Sequence, residues 1–400
     1  LSASWLGNIT RRKPRPGSQQ PTIAPEKVLW ISCVGEKGGA EVYMLNLLRH
    51  LDRRQFTPAV ALLRPGPLEN ELRGMDAAVY MLNAHRMRNV AAVARTIWAL
   101  RQLIRQQEVG LVHSNGFRAH VYGGLAAWLA GVPEVWTVHT VEKRGLFTRA
   151  VFQVPTAHVV ANCPRTADFF IAHGCPVSLI WPSVDAGQLA RAASRNELAA
   201  RYGVPPAARW VSMGARMQRY KGHEFFLRAL AALPAGFENV QGVIMGGSLF
   251  GQEPAYADEM KALAGQLGIS SQVRFTGFID DADLHGFVSG SELVIHCALD
   301  EDFGLIVAEA QALGKPVLAF ASVGPAAILA PEETGRLVPV GDQEKLNQAL
   351  VELLAAPERL RRWGEAGRAR SGRLFAAGQA ARQLERIYAA CLRADPRCNV

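Results

Sequence analysis

Short apolar runs alternate with helical periods along most of this 400-residue chain, and this alternation is the feature that most constrains its fold. In the first half, buried strands are predicted at 28–34, 58–63, 77–82, 109–114 and 134–139. A second series predicts strands at 209–215, 241–247, 273–278, 293–298, 316–321 and 335–340. Strands that alternate with helices form parallel sheets covered by helices on both faces. The sequence therefore predicts an α/β chain with two Rossmann-like domains in series, joined near 182–188.

The length allows each of two domains to bury its own core. No apolar run approaches the ~20 residues that a membrane span needs. Residues 1–27, which are rich in Pro, Ser, Gln and Arg, are interpreted as a flexible leader. The six cysteines show no metal-ligand spacing, so we interpret them as reduced thiols of a cytoplasmic protein.

Positive charge is concentrated in the first half of the chain. Residues 1–185 hold 21 Lys and Arg against 12 Asp and Glu, a net of +9, whereas residues 186–400 hold 23 of each. The leader contributes part of this excess, with five basic residues and one acidic residue. A basic half indicates an anionic partner, either a membrane surface or an acidic glycan. We expect no nucleic-acid partner.

Glu301 and Glu309 lie eight residues apart in the run LDEDFGLIVAEAQALGKPVLA, residues 299–319. The pattern predicts a loop, a helix from about 304 to 313, and a buried strand at 316–320. The free N–H groups at the start of this helix suit a phosphate, and the two carboxylates suit sugar hydroxyls. The alternative is a solvated acidic segment that only favours the helix dipole.

Other candidate side chains and glycines also follow predicted strands, at the sheet edge where α/β proteins bind ligands. Arg216 and Lys221 stand five residues apart after the strand at 209–215, where they can converge on a diphosphate. His139 ends the strand at 134–139 and can bond a sugar hydroxyl. Glycines that allow close backbone approach follow the other strands: Gly38, Gly39, Gly214, Gly246 and Gly247. The first glycine-rich loop, GEKGGAE, lacks the G-x-G-x-x-G spacing of dinucleotide sites.

On these motifs the span from about 28 to 392 resembles the retaining glycosyltransferases of family 4, which carry an E-x7-E signature. The resemblance implies a GT-B fold, with two Rossmann-like domains facing a central cleft. Its domains would be 28–185 with about 374–400, on the acceptor side, and 186–373, on the donor side. The last helical run, from about 374 to 392, would cross back to the first domain, although it could instead cap the second.

The resemblance also implies roles for individual residues. The catalytic group would be His139, Arg216, Lys221 and Glu301. Donor contacts would come from the glycines named above, from Glu309 at the ribose, from the backbone at Arg274 and Phe275, and from Phe303, Gly304 and Leu305. The acceptor-side group would be His113, Asn115, Lys143 and Arg144. The donor would be a UDP- or GDP-linked hexose, transferred with retention and without a metal or cofactor to a glycan or glycolipid of the cell envelope.

Two features depart from the family pattern or imitate another one. The family has Gly-Gly-x-x-Glu after the strand at 316–321, but here Pro325 replaces the second glycine and Ala327 or Ile328 replaces the glutamate. The run DDAD at 280–283 imitates a metal-binding D-x-D, but it precedes a helical period and is interpreted as a helix start.

Two segments of the first half are candidates for contact with anionic lipid. Residues 85–107 predict an amphipathic helix with arginines on its polar face, and 143–152 is both basic and apolar. For 85–107 we favour a helix that packs on its own sheet, and 143–152 is the better membrane or acceptor candidate. Two other functions stay open, namely a nucleotide-sugar epimerase, for which no set of acid–base carboxylates is evident, and a non-catalytic nucleotide-sugar-binding protein.

Overall fold

The computed structural model describes residues 24–84, 89–140, 151–248 and 253–394. Its first sheet has seven parallel strands in the order β3-β2-β1-β4-β5-β6-β7. The strands are β1 (Glu26–Ser32), β2 (Phe56–Leu62), β3 (Ala78–Met81), β4 (Leu111–Asn115), β5 (Glu134–Val138), β6 (His158–Ala161) and β7 (Val177–Leu179). The first five were predicted. The last two, β6 and β7, were not predicted, and all three residues of β7 are partly exposed.

Helices cover both faces of the first sheet. They are α1 (Gly39–His50), α2 (Leu68–Arg73), α3 (Val90–Gln106), α4 (Phe117–Ala130) and α5 (Pro164–Ala172). One core packs α1 against the sheet, and a second core packs α3 and α4 against the opposite face. Asn89 caps α3 by accepting from the Ala92 N–H at 3.0 Å, so the described part of the predicted 85–107 helix begins there.

The second sheet has six parallel strands in the order β10-β9-β8-β11-β12-β13. They are β8 (Arg209–Gly214), β9 (Val240–Met245), β10 (Val273–Gly277), β11 (Leu293–His296), β12 (Val317–Phe320) and β13 (Gly335–Val338). All six match predicted strands. The accompanying helices are α6 (Ala186–Leu189), α7 (Arg195–Tyr202), α8 (His223–Ala231), α9 (Tyr256–Gln266), α10 (Asp281–Gly290), α11 (Leu305–Ala312), α12 (Val323–Ile328), α13 (Gln343–Leu354) and α14 (Pro357–Leu374). They pack two cores of their own, one on each face.

The last helix, α15 (Ala377–Arg393), returns to the first domain. Its apolar side chains join the core that lies under α1, among them Leu384 and Tyr388. The chain crosses between the domains twice, near Val184 and near Phe375. The two crossings run side by side, and the Val184 N–H donates to the Phe375 carbonyl at 2.7 Å. The predicted two-domain GT-B fold, including the helix that crosses back, is confirmed.

Among the described residues, no helix has both the length and the apolar composition that crossing a membrane requires.

Candidate active site

The carboxyl ends of both sheets border one cleft, which encloses about 250 Å³. Its lining from the first domain includes Lys37, Gly38, Gly39, Val42, Asn46 and Arg49. Its lining from the second domain includes Gly214, Arg216, Gly246, Phe278, Ile279, Asp281, Leu284, His285, Leu305 and Glu309. Asp185 and Gln188, from the crossing between the domains, also contribute. Several side chains predicted for the donor site are therefore brought together here.

The segment with the two glutamates folds as predicted, with helix bounds that agree within one residue. Gly304 precedes α11 in the left-handed conformation, with φ 84°, which favours glycine. A Cβ on Gly304 would lie 3.3 Å from Cγ of Glu301 and 3.4 Å from Nε2 of His296, so the turn is also tight. Glu301 lies in the loop before the helix, and Glu309 lies on it, 8% exposed.

Glu301 contacts a lysine and a histidine. Its Oε2 atom lies 2.5 Å from Nζ of Lys221 and 3.3 Å from Nε2 of His296. Burial alone would raise the pKa of Glu301, but the His296 contact and the Lys221 charge outweigh it and hold that pKa below its usual range. Glu301 is therefore an anion at neutral pH, available as a hydrogen-bond acceptor.

A glycine brings Lys221 to this position. Lys221 ends a single 3₁₀ turn, Arg219–Lys221, and Gly222 follows with φ 73°. A Cβ on Gly222 would lie 2.1 Å from the carbonyl oxygen of Cys297, at the end of β11. Only glycine allows the turn to lie this close to the strand, so the Lys-Gly pair of the sequence has a geometric reason.

Arg216 lies in the loop after β8 and lines the cleft. Its guanidinium donates to the Tyr220 hydroxyl at 3.0 Å. Gly246, at the end of β9, has φ 139°, and a Cβ there would lie 2.0 Å from the Ala215 carbonyl oxygen. This close contact fixes the loop that carries Arg216 against the neighbouring strand.

Glu309 contacts a buried histidine that the sequence did not single out. His285 is 4% exposed, and its Nε2 atom lies 3.5 Å from Oε1 of Glu309. Burial lowers the pKa of His285, but the bond to Glu309, with the charges of Glu309 and Asp281, raises it above its ordinary value overall.

On the first domain's side, Lys37 was also missed. Its ammonium lies 3.0 Å from Glu71 of its own domain and 2.6 Å from Asp281 of the second domain. Glu71 also pairs with Arg49 at 2.5 Å. Ion pairs across a cleft have no local sequence signal, because neither partner is near the other in the chain.

The aspartates of the run DDAD, which imitates a metal-binding D-x-D, have protein partners. Asp280 caps α10 by accepting from the Asp283 N–H at 2.9 Å, Asp281 pairs with Lys37, and Asp283 accepts from Tyr202 at 2.6 Å and pairs with Arg201. The interpretation as a helix start fits this geometry, with the added contact between domains at Asp281.

His139 follows β5, and its Nε2–H donates to Oδ1 of Asn115 at 2.7 Å. Burial lowers the pKa of His139 to about 4, so the ring is neutral at pH 7. Asn115 is 7% exposed, at the end of β4. These two predicted side chains therefore lie together at the carboxyl edge of the first sheet.

Other predicted residues lie elsewhere. His113 is fully buried, and its ring nitrogens contact Tyr388 at 2.5 Å and Thr137 at 2.7 Å, so neither nitrogen is available to an acceptor. Phe303 is 4% exposed and packs in a core beside Phe375. The side chain of Arg274 donates to the Gly203 carbonyl, while Phe275 packs on a core of the second domain. Lys143 and Arg144 lie outside the described residues.

In the loop that departs from the family pattern, α12 carries one clear contact. The N–H of Gly324 donates to the Glu301 carbonyl at 2.8 Å, and a Cβ on Gly324 would lie 2.1 Å from the Phe303 carbonyl oxygen. The first glycine of the pattern therefore supports the glutamate loop, while Pro325 occupies the first turn of α12.

Two parallel sheets around a cleft lined by Arg216 and Glu309, with Lys221 paired to Glu301 at the carboxyl edge of the second sheet, define a GT-B glycosyltransferase. The family described as Glycosyl transferases group 1 matches residues 194–370, and the family described as Glycosyltransferase Family 4 matches residues 37–188. The chain belongs to the family 4 glycosyltransferases.

Relatives and a solved structure agree. The chain is 31% identical to a D-inositol 3-phosphate glycosyltransferase of Segniliparus rotundus, over 71% of this chain and 66% of that protein. It is 26% identical to the Streptomyces avermitilis protein of the same name, over 99% of this chain and 94% of that one. The crystal structure of Anabaena HepE in complex with UDP-glucose shares the fold at a TM-score of 0.79 and 22% identity, over 91% of this chain and 99% of that one.

Proposed function

We propose that this glycosyltransferase moves a hexose from a UDP- or GDP-linked donor to a hydroxyl of a cell-envelope glycan or glycolipid, with retention and without a metal. The observation that carries the donor assignment is the Lys221–Glu301–His296 cluster at the carboxyl edge of the second sheet. Arg216 lines the cleft and donates to Tyr220, the chain neighbour of Lys221. The two cations suit a diphosphate, and the ionised carboxylate of Glu301 suits sugar hydroxyls.

Arg216 and Lys221 would stabilise the diphosphate as it departs, because its negative charge grows in the transition state. The free N–H groups at the start of α11 would add to this, since the helix has no side-chain cap there. Glu301 would orient the donor sugar, and Glu309 would accept from the ribose hydroxyls. The UDP-glucose bound by HepE supports a donor of this chemical class.

Retention without a covalent enzyme intermediate would place the acceptor on the same face as the departing diphosphate. The carboxylates of the cleft wall support this, because each already has a partner: Asp281 contacts Lys37, Asp185 accepts from the Gly187 N–H at 2.9 Å, and Glu309 contacts His285. The leaving phosphate would then take the acceptor proton. His139, neutral at pH 7, would orient a hydroxyl by a hydrogen bond.

A donor panel tests this function. The purified chain would be incubated with UDP-glucose, UDP-galactose, UDP-N-acetylglucosamine and GDP-mannose, in the presence of EDTA, with glycan and glycolipid acceptors. We expect release of one diphosphate, coupled to a product whose anomeric configuration by NMR matches that of the donor. Inversion would contradict retention, and activity restored only by Mg²⁺ or Mn²⁺ would contradict metal independence.

The same panel separates the alternatives. A nucleotide-sugar epimerase would convert the donor into its epimer, which has the same mass and a different NMR spectrum. A non-catalytic binding protein would bind a donor and release no diphosphate.

The acceptor is proposed to lie at the cytoplasmic face of an anionic membrane. The outer face of α3 and α4 supports this part of the proposal. Trp98 and Trp128 are 59% and 58% exposed there, and these two helices hold four arginines and no acidic residue. Exposed tryptophan beside arginine suits the headgroup region, where each basic residue contributes about 1 kcal/mol.

Co-sedimentation with phosphatidylglycerol vesicles measures this association. We expect binding at low salt that weakens as salt screens the charges, and that weakens again in a variant with Trp98→Ser and Trp128→Ser. Concentration-dependent self-association of the wild type, lost in that variant, would instead identify the face as an interface between copies of the chain. Binding that the variant retains would assign the membrane contact to another surface.

A further inference from the structure

Arg165 of the first domain contacts the loop of the second domain that carries Glu301. It lies in the first turn of α5, after Pro164. Its Nε atom lies 2.8 Å from Oδ1 of Asp302, and its terminal nitrogen lies 3.1 Å from Oδ1 of Asp300. One guanidinium thus binds the residue before Glu301 and the residue after it.

The remaining hydrogen bonds that hold this loop come from its own domain. The Leu299 N–H donates to the Tyr220 carbonyl at 2.8 Å, and the Glu301 carbonyl accepts from Gly324. Among the hydrogen bonds of the described ranges, those of Arg165 are the ones that connect residues 299–304 to the first domain. The position of the loop therefore depends in part on how the two domains sit together.

Three consecutive carboxylates also make this loop sensitive to its counter-ions. Asp300, Glu301 and Asp302 repel one another, and their cationic partners come from different domains, Lys221 from the second and Arg165 from the first. The Asp302 side chain is 18% exposed and the Arg165 side chain is 44% exposed, so water screens their pair in part. If the domains separate, Asp302 and Asp300 lose their counter-ion while Glu301 keeps Lys221.

We propose that Arg165 is a positioning residue that couples closure of the cleft to the alignment of Glu301 with the donor sugar. Closure brings Arg165 onto Asp300 and Asp302 and fixes the glutamate between them. In the open arrangement, carboxylate repulsion moves the loop, and Glu301 is displaced from the bound sugar. The coupling rests on the proposed donor-binding role of Glu301.

The kinetic test uses Arg165→Gln, Asp302→Asn and the double variant. We expect kcat to fall about 10- to 100-fold in Arg165→Gln, the scale of a displacement of about 1 Å at a reacting group. The affinity for free UDP or GDP should stay within about two-fold, because the diphosphate contacts do not involve Arg165. Asp302→Asn should add little to Arg165→Gln, since the two act through one contact. Arg165→Lys should restore part of kcat.

The matched control is Arg336→Gln. Arg336 also binds two carboxylates, Glu332 at 2.8 Å and Glu352 at 2.6 Å, but all three lie within the second domain. Its loss should leave kcat and nucleotide affinity unchanged. An equal fall in kcat for both variants would mean a general loss of stability, and wild-type kcat in Arg165→Gln would overturn the proposal.

A second measurement separates this proposal from the proposed function. Small-angle scattering of the donor-free chain should give a larger radius of gyration for Arg165→Glu than for the wild type, because reversal of the charge repels the two aspartates. If no donor of the panel is used, the proposed function fails, and scattering still decides whether Arg165 holds the domains together. Identical scattering of Arg165→Glu and wild type would overturn the coupling.

Discussion

Lys221 and Glu301 neutralise each other at 2.5 Å, so the removal of either side chain leaves a charge at the proposed donor site without its main partner. In Lys221→Ala, the departing diphosphate of the proposed reaction would also lose one cation. We expect a loss of about 2–4 kcal/mol of transition-state stabilisation, the scale of one preorganised electrostatic contact. The measurement is kcat/KM with the donor identified by the panel.

Lys261→Ala is the control for Lys221→Ala, because Lys261 is exposed and pairs with Asp258 on the outside of α9. It should keep the wild-type kcat/KM. Wild-type kinetics in Lys221→Ala would remove Lys221 from the catalytic group.

His285 predicts a pH dependence of stability. Its pKa is raised in the folded chain, so the folded state binds the proton more tightly than the unfolded state does. The resulting stabilisation is complete below the unfolded pKa of about 6.5 and is lost as the pH rises through the higher folded pKa. Between pH 6 and pH 8.5, the free energy of unfolding should therefore fall more in the wild type than in His285→Gln. Parallel pH profiles from urea titrations would contradict this.

At the residue scale, sequence patterns predicted the side chains that follow strands. Four of these side chains stand a few residues after a recognisable apolar run: Arg216, Lys221, Glu301 and Glu309. Their places in the sequence therefore predicted that they lie near the carboxyl ends of the strands. Partners of these residues were missed, because His285, on α10, meets Glu309 only through the packing of two helices. Arg165 and Asp302 meet only through the arrangement of two domains.

Among the secondary-structure elements, α4 and β5 share a buried hydrogen-bonded pair away from the cleft. His120 of α4 lies 3.0 Å from Glu134 at the start of β5, and both side chains are 1% exposed or less. Trp136 stacks on the His120 ring at a centroid distance of 4.0 Å. Removing one partner leaves a buried polar or charged group without compensation, so we expect Glu134→Ala to cost about 3–5 kcal/mol of stability.

The double variant His120→Leu/Glu134→Leu tests the reason for that cost. Because it removes both polar groups and keeps apolar volume, it should be less destabilised than Glu134→Ala. Denaturant titrations give both values. A double variant that is the least stable of the set would show that the pair contributes net stability, not only mutual compensation.

The strands show why element prediction succeeded in one half more than in the other. All six strands of the second sheet stand out as apolar runs between turns. In the first sheet, β6 and β7 were missed. β7 has three partly exposed residues at the sheet edge, so its sequence resembles a loop. Length does not explain β6, because the predicted strands β3, β11, β12 and β13 also have four residues.

At the scale of the whole molecule, the chain order alone could not determine where the last helix packs. Amphipathic periodicity predicts that α15 buries one face, but a cap on the second domain would bury the same face. The family resemblance favoured the crossing to the first domain, and the structure shows its contacts. Tyr388 is fully buried there, and its ring lies edge-on to His113 and to Phe56.

The hydrogen bond between Tyr388 and His113 connects this crossing to β4. Burial holds the pKa of His113 well below its ordinary value, so the ring is neutral and needs one partner as donor and one as acceptor. In Tyr388→Phe, Nδ1 of His113 keeps its buried position and loses its partner at 2.5 Å. We expect a loss of about 1–3 kcal/mol in the free energy of unfolding, the cost of an unsatisfied buried polar atom.

Tyr80→Phe, on the edge strand β3, removes the same hydroxyl from a side chain that has no hydrogen-bond partner among the described residues, and it should leave stability unchanged. Kinetics of Tyr388→Phe then decide between two roles for His113. A structural role predicts lower stability with an unchanged KM for the acceptor, since the ring is enclosed between Trp30, Thr137 and α15. A rise in acceptor KM at unchanged stability would instead return His113 to the acceptor-side group in which the sequence placed it.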